Sequence, residues 1–363
     1  MSADERPVLF VTGNVPPSRI DPFAALHARE DVVFALFGGS AIHALETADE
    51  LPFPHVRPSQ RAVHALAASG RFRAVVCGTG GRTALPAAYL GARRAGVPFV
   101  LWASIWQHPR SVAGASGYVP LTTVYRNADA VVTYGPHVSA YVRAKGARDV
   151  FEAPQAVNNE FWGAVSTPKS WASFQILFVG RASREKGTQT LLSAWRASGL
   201  AASHAALVLV GGGPFRSRAV ATSAVLPADG IVEAGTVSPV ELRNFYAGSD
   251  VCAIPSVPTR TIRETWSLVA NEAMNQGVPI VASDAVGAAA GGLVRDGRNG
   301  LVVPAGDPTA LASALRRVHD EPGLRERLGA AAREDVKPYT AQAWADGVSA
   351  ALLHVGKGRL IPS

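Results

Sequence analysis

The chain has 363 residues, 48% hydrophobic and 17% charged, with a formal net charge of +7. That length and hydrophobic share suit two α/β domains with substantial cores and exclude general disorder. No apolar run approaches the roughly 18 residues needed to cross a bilayer, and the polar start MSADERP does not read as a signal peptide, so a cytoplasmic protein is expected.

In chain order, VLFVTG (8–13) is an apolar strand ending at Gly13, followed by a polar loop and a helix-like segment. Such a start is typical of a doubly wound nucleotide-binding domain, and Gly13 would let a ligand come close to the backbone. Strands VVFALF (32–37), AVVCG (74–78), FVLWAS (99–104) and AVVTYG (130–135) follow, separated by alanine-rich helical patterns. Between residues 51 and 150 twelve Lys/Arg face only two acids, Asp129 and Asp149. This excess reads either as a solvated face or as an attraction for anionic lipid or a phosphorylated substrate. Nucleic acid is not expected, since aromatics are few and no binding motif is visible.

Residues 160–172, NNEFWGAVSTPKSWASF in context (158–174), are polar and turn-rich and mark the expected boundary. A second start, ILFVGR (176–181), then leads into ALVLVGG (206–212), IVEAG (231–235), VCAIPS (251–256) and PIVAS (279–283). The alternation predicts parallel sheets with helices on both faces. The expected domains are 1–165, 166–338 and a closing helix within 339–363 that packs back toward the first domain. Cys77 and Cys252 lie in separate strand-like runs and read as buried free thiols.

Ligands of open α/β sheets bind outside the carboxyl ends of the strands, so the loops there carry the chemistry. After the strand at 176–180, Arg181 and Lys186 project before a helix expected to start near Thr188. An arginine fork, a lysine and a helix N-terminus together suit a diphosphate. The order K-G is not that of a P-loop, and VLVGGGPF (208–215) lacks dinucleotide-fingerprint spacing, so it reads as a tight turn. RETWSLVANEAMNQG holds two acids, Glu264 and Glu272, about the start of a helix expected near Ser267–Leu268, with Arg263 the only adjacent cation. The first-turn N–H groups of Ser267, Leu268 and Val269 can receive a phosphate, and a carboxylate beside them can accept from a vicinal diol. The plain alternative is a capping acid and a surface acid. His108, in IWQHPRS, and its rival His137, in TYGPHVS, each follow a strand.

The ordered series GR-x4-KG, VGGGP, Gly235-Thr236-Val237, DVCAIPS, E-x7-E with NEAMNQGVPIVASD, and DGRNGLVVPAGD resembles the retaining glycosyltransferases of family 4, glycosyl transferases group 1. The likeness covers nearly all of the second half; the first half is similar only in layout, at NADAVVTYG and APQAVNNEFW. It implies the GT-B fold, two facing Rossmann-like domains with a cleft between them. By resemblance Arg181 and Lys186 bind the diphosphate, Glu264 contacts the donor sugar, Glu272 holds the ribose, Leu268 and Val269 supply backbone donors, and Val237 lies near the base. His108 matches a region where the family often places a histidine facing the donor sugar. Where the family often has Gly after the aromatic of E-x-F-G-L, this chain has Ser267 after Trp266.

The implied activity is retaining, metal-independent hexosyl transfer from a UDP- or GDP-linked sugar to a hydroxyl of a sugar, lipid-linked or small-molecule acceptor. Polysaccharide or glycolipid synthesis, at the inner membrane face, would be the setting, with no cofactor besides the donor itself. The alternatives are a nucleotide-sugar epimerase of the same fold and a non-catalytic nucleotide-sugar-binding subunit.

Overall fold

The computed structural model describes residues 5–38, 51–81, 83–213 and 226–358. Pro214 and Phe215 of the glycine turn, and Arg82 of the basic stretch, lie outside the described residues. The chain divides into one unit of Met1–Asn158 with Tyr339–Ser363 and another of Asn159–Pro338.

The first unit holds strands β1 (Val8–Thr12), β2 (Val32–Leu36), β3 (His55–Val56), β4 (Ala74–Gly78), β5 (Phe99–Ala103), β6 (Ala130–Thr133) and β7 (Val150–Glu152). They form one parallel sheet in the order β3-β2-β1-β4-β5-β6-β7. The second unit holds β8 (Gln175–Val179), β9 (Ala206–Val210), β10 (Ile231–Gly235), β11 (Val251–Ile254), β12 (Ile280–Ser283) and β13 (Gly300–Val303), also parallel, in the order β10-β9-β8-β11-β12-β13. Each sheet reverses strand order once, between β1 and β4 and between β8 and β11, the doubly wound pattern that places ligands at the reversal.

The period-two alternation of side chains explains the two layers of core in the first unit. Leu9 and Val11 point to one face, with Val75, Cys77 and Leu101. Val8 and Phe10 point to the other, with Phe23, Phe34, Trp102 and Trp344. Trp344 comes from the helix Ala341–His354 and is fully buried, its ring 5.4 Å from Phe23 and 5.7 Å from Trp102. Both cysteines are free and buried, and burial pushes both thiols well up from their ordinary value.

Three strands and one helix fall where the sequence offered no strand or helix signal. β3 and β7 are edge strands of two and three residues, too short for a periodic signal, and β3 sits between Pro54 and Pro58. β13 hides inside the DGRNGLVVPAGD run. The polar stretch after Asn158 contains a short helix, Asn159–Gly163, which packs on the helix Leu268–Asn275.

The basic stretch is less of a free face than its count suggests. Arg73 is 1% exposed and pairs with the fully buried Glu30 at 2.9 Å. The nitrogen of that pair also donates to the Glu30 carbonyl, and the other two donate to the carbonyls of Arg6 and Lys357, so one side chain ties the lead into the first strand, the end of the first helix and the turn at Lys357. Arg93 is likewise taken up by Asp129 at 3.2 Å. Removing one member of a buried pair strands the other charge, at about 3–5 kcal/mol. Arg73→Met is therefore expected to lower unfolding free energy by about that amount in urea titration; a change under about 1 kcal/mol would mean that the pair is not a structural tie.

Candidate functional site

The site-bearing residues of the second unit come from loops at the carboxyl ends of β8 and β11, the two strands flanking its order reversal. After β8 the chain runs through Gly180 and Arg181 into a short turn, Arg184–Lys186, and then the helix Thr188–Ser198. This loop is stitched to its neighbours by its backbone. Ala182 N–H donates to Gly212 O at 2.9 Å, which fastens it to the glycine turn after β9. Val257 N–H donates to Glu185 O at 2.9 Å, which fastens it to the segment after β11. Between these ties Gly187 adopts φ +70°, and a Cβ there would overlap the Pro255 carbonyl oxygen. The glycine of the K-G pair is thus required twice, by its dihedral and by the close approach.

The result is that Lys186 Nζ meets Glu264 Oε1 in an ion pair across 78 positions of sequence. The second carboxylate oxygen of Glu264 accepts from Ser256 Oγ. Ser256 is itself buried, and its carbonyl accepts from Ser283 Oγ at the end of β12. The Glu264 main chain is also fixed: its carbonyl accepts from Gly287 N–H at 3.1 Å, and the Trp266 carbonyl from Ala288 N–H at 2.8 Å. Arg263, the adjacent cation, donates through its guanidinium to Asp284 O at 3.2 Å.

Arg181 takes a different course. Its side chain is half exposed and pairs with Glu185 at 3.2 Å. Burial pushes the Glu185 carboxyl up, but the Ser183 hydroxyl, its own backbone N–H and the charges of Arg181 and Lys186 together hold it below the ordinary value. Ser183 and Thr188 line a cavity of about 480 Å³ at the start of the helix Thr188–Ser198.

The helix Leu268–Asn275 begins where the sequence places it. Ser267 precedes it with φ +89°, one of three non-glycine residues with positive φ among those described. Trp266 is buried and donates through its ring nitrogen to Asn271 Oδ1 at 2.8 Å, which clamps the entry to the helix. The N–H groups of Leu268 and Val269 belong to the first turn, where the helix itself supplies no acceptor. Glu272 lies farther along and accepts from Tyr246 Oη at 2.7 Å. Burial pushes its carboxyl up to about 7, against the Tyr246 hydrogen bond that pulls it down. Val237 is partly buried just before the capping box of Ser238 and Glu241 that opens the helix Pro239–Ala247.

Gly13 and His108 lie in the first unit, not among these residues. Gly13 O accepts from Gly38 N–H at 3.2 Å. His108 Nε2 is 2.7 Å from Gly114 O, and its ring stands edge-on to Tyr118 at 4.9 Å. His137 packs edge-on against Trp106 at 4.8 Å.

Ser256 and Tyr246 received no role from the sequence. Both are ordinary in their local runs, VCAIPS and RNFYAGS, and only the fold brings their hydroxyls to the two glutamates. Among the described residues no group of three or more His, Cys, Asp or Glu is spaced to hold a metal ion, and no helix is long and apolar enough to cross a membrane.

The positive φ at Ser267 has a measurable cost, about 1 kcal/mol or more for a residue with a Cβ. Ser267→Gly should therefore raise stability by about 1 kcal/mol, read as a rise of about 2–4 °C in melting temperature. A fall instead would show that the serine hydroxyl contributes more than the backbone loses.

Residues 173–321 match the family described as glycosyl transferases group 1. Among similar proteins, a D-inositol 3-phosphate glycosyltransferase of Thermomonospora curvata is 34% identical over 173 residues, 44% of this chain and 38% of that protein. A sulfoquinovosyl transferase of Arabidopsis thaliana is 31% identical over 170 residues, 45% of this chain and 30% of that protein. Each match thus spans less than half of the relative's length. Similar folds include Anabaena HepE, solved in complex with UDP and glucose, with a TM-score of 0.72, 16% identity and coverage of 96% of this chain and 100% of that one. Sucrose-phosphate synthase of Thermosynechococcus elongatus gives 0.72, 19%, 97% and 99%. The fold is the two-domain α/β fold of GT-B glycosyltransferases, and residues 173–321 are similar to the glycosyl transferases group 1 family.

Proposed function

We propose that the protein transfers a hexose from a nucleoside diphosphate sugar, UDP- or GDP-linked, to an acceptor hydroxyl with retention of configuration. The single observation that carries this reading is the Lys186–Glu264–Ser256 cluster at the order reversal of the second sheet. It sets a cation and an oriented carboxylate beside a helix N-terminus, the arrangement a diphosphate and an adjoining sugar require. Similar proteins that carry sugar-transferase names, and a similar fold that binds UDP, support it.

In this reading the donor's diphosphate lies against Lys186 and the N–H groups of Leu268 and Val269. Arg181, freed from Glu185, closes on it. Glu264 accepts from hydroxyls of the hexose, and Glu272 accepts from the ribose, with Val237 near the base. The bond from the anomeric carbon to the β-phosphate oxygen breaks as the acceptor oxygen attacks from the same face. The acceptor's proton passes to the departing phosphate, so a nucleoside diphosphate leaves and no separate base is needed. Fixed cations and the helix dipole stabilise the leaving charge, which supports transfer without a metal ion or other cofactor. In the first unit, Gly13 lets the acceptor or a donor phosphate come close to the backbone, and His108 is read as facing the donor sugar. An epimerase would need acid and base groups placed about the sugar ring, and a binding subunit would not need Lys186 for turnover. A cytoplasmic place, at an anionic membrane face during polysaccharide or glycolipid synthesis, is supported only by the cations of residues 51–150.

Release of UDP from UDP-glucose in the presence of a panel of hydroxyl acceptors tests the reading. Lys186→Ala is expected to lower kcat by about 100- to 1,000-fold, the range for losing one contact to developing charge, in buffer containing EDTA as well as without it. Near-normal turnover at saturating donor would remove Lys186 from the chemistry.

Glu272 gives a pH signature. With its carboxyl near 7, lowering the pH protonates it before donor binds, and a ribose diol is best received by the ionised form. Affinity for UDP-glucose, whose diphosphate does not titrate there, should rise with pH up to about 7 and level off above it, with a limiting slope of about tenfold per unit. Glu272→Gln should bind more weakly and lose the slope. An unchanged pH profile in that variant would sink the ribose assignment.

A further inference from the structure

The first unit contains a cavity of about 620 Å³, within the range of small-ligand sites. Thr79 and Gly81 line it from beyond β4, and Ile105 and His108 from beyond β5, so it lies at the carboxyl ends of two central strands. The remaining walls are mostly aliphatic: Leu85, Pro86, Pro109, Leu121 and Val124. Among its described lining residues none is charged, and Thr79 and His108 alone bring polar side chains.

One wall is the helix Val112–Asn127, which turns Gly114, Gly117, Leu121 and Val124 to the cavity at spacings of three, four and three. The two glycines have different reasons to be there. A Cβ at Gly114 would overlap the Pro109 carbonyl oxygen, so that position is closed to any side chain. A Cβ at Gly117 would meet nothing within 4 Å. Glycine weakens a helix interior relative to alanine, and at Gly117 no close approach demands it. The helix gives up stability there and leaves open volume.

The polar end of the cavity is oriented. His108 Nε2 lies 2.7 Å from Gly114 O, and a carbonyl can only accept, so Nε2 carries the proton. In the neutral ring Nδ1 is then an acceptor. A free sugar would bring several hydroxyls into walls that offer two polar side chains, and each unpaired one opposes binding. An apolar body with one hydroxyl meets no such opposition.

We infer that this cavity holds the apolar body of the acceptor, an uncharged alcohol whose single hydroxyl is received at His108 or Thr79. The inference rests on the transferase reading for the word acceptor, but the binding itself does not. Calorimetric titration of the whole protein with 1-octanol, 2-naphthol, glucose, UDP and GDP tests it. At least one of the two alcohols should bind with a negative heat-capacity change, and glucose should not; their relative affinity separates a flexible chain from a planar ring. Gly117→Leu, which fills the cavity from the helix side, should weaken alcohol binding at least about tenfold and leave UDP binding unchanged. Gly117→Ala adds one methyl group and should show a smaller loss in the same direction, which covers a failure of the larger substitution to fold. Absence of binding by both alcohols, glucose binding as tight as theirs, or undiminished alcohol binding in the Gly117 variants would overturn the inference. Alcohol binding with neither UDP nor GDP bound would instead overturn the transferase reading.

Discussion

The contact between the Gly187 backbone and the Pro255 carbonyl is the constraint on which the second unit's chemistry depends. Strand order brings the loops after β8 and β11 side by side, but adjacency alone would leave Lys186 free to wander. Only a residue without a Cβ, in the left-handed region, lets the two backbones touch. The touch fixes Lys186 against Glu264, and Ser256, one residue past Pro255, occupies the other carboxylate oxygen. A cation, an anion and a hydroxyl from three places in the sequence are thereby held in one cluster by main-chain geometry. Preorganisation of this kind means that little rearrangement accompanies charge development.

The parts legible in the sequence were those with local causes. Ten strands were visible because each is a run of four or five apolar residues ending at a turn, and the doubling of the pattern predicted two parallel sheets. The helix starts at Thr188 and Leu268 were visible because loop residues stop and apolar spacing begins. Edge strands β3 and β7 were not, since two or three residues carry no period and are held mainly by their one neighbour. In the site, residue types were readable and partners were not. Arg263 is the cation adjacent to Glu264 in sequence, whereas the fold brings Lys186 to Glu264 from 78 positions away and sets Arg263 on the Asp284 carbonyl. Ser267 stands where the family often has Gly, and its positive φ is a backbone requirement that glycine would meet without strain.

Charge counting misleads in a similar way. Twelve cations between residues 51 and 150 suggest a positive surface. Arg73 is instead a core residue that ties three segments through their carbonyls and Glu30, and Arg93 answers Asp129. A sequence shows the sign of a side chain and not whether it faces water. The aliphatic cavity beside His108 makes the complementary point, since a glycine in the middle of a helix pattern says nothing of the space left beside it.

The helix Ala341–His354 buries Trp344 among Phe10, Phe23 and Trp102, aromatic groups contributed by the opening third of the chain. The second unit, Asn159–Pro338, is therefore one uninterrupted stretch inserted into a first unit made of two pieces. During synthesis the second unit can finish folding while the first still waits with an apolar face uncovered. Its sheet must stay soluble, or be shielded by a chaperone, until the helix Ala341–His354 has left the ribosome. A cut after Asn158 would leave that face bare for good, while the inserted stretch is the piece that could stand alone.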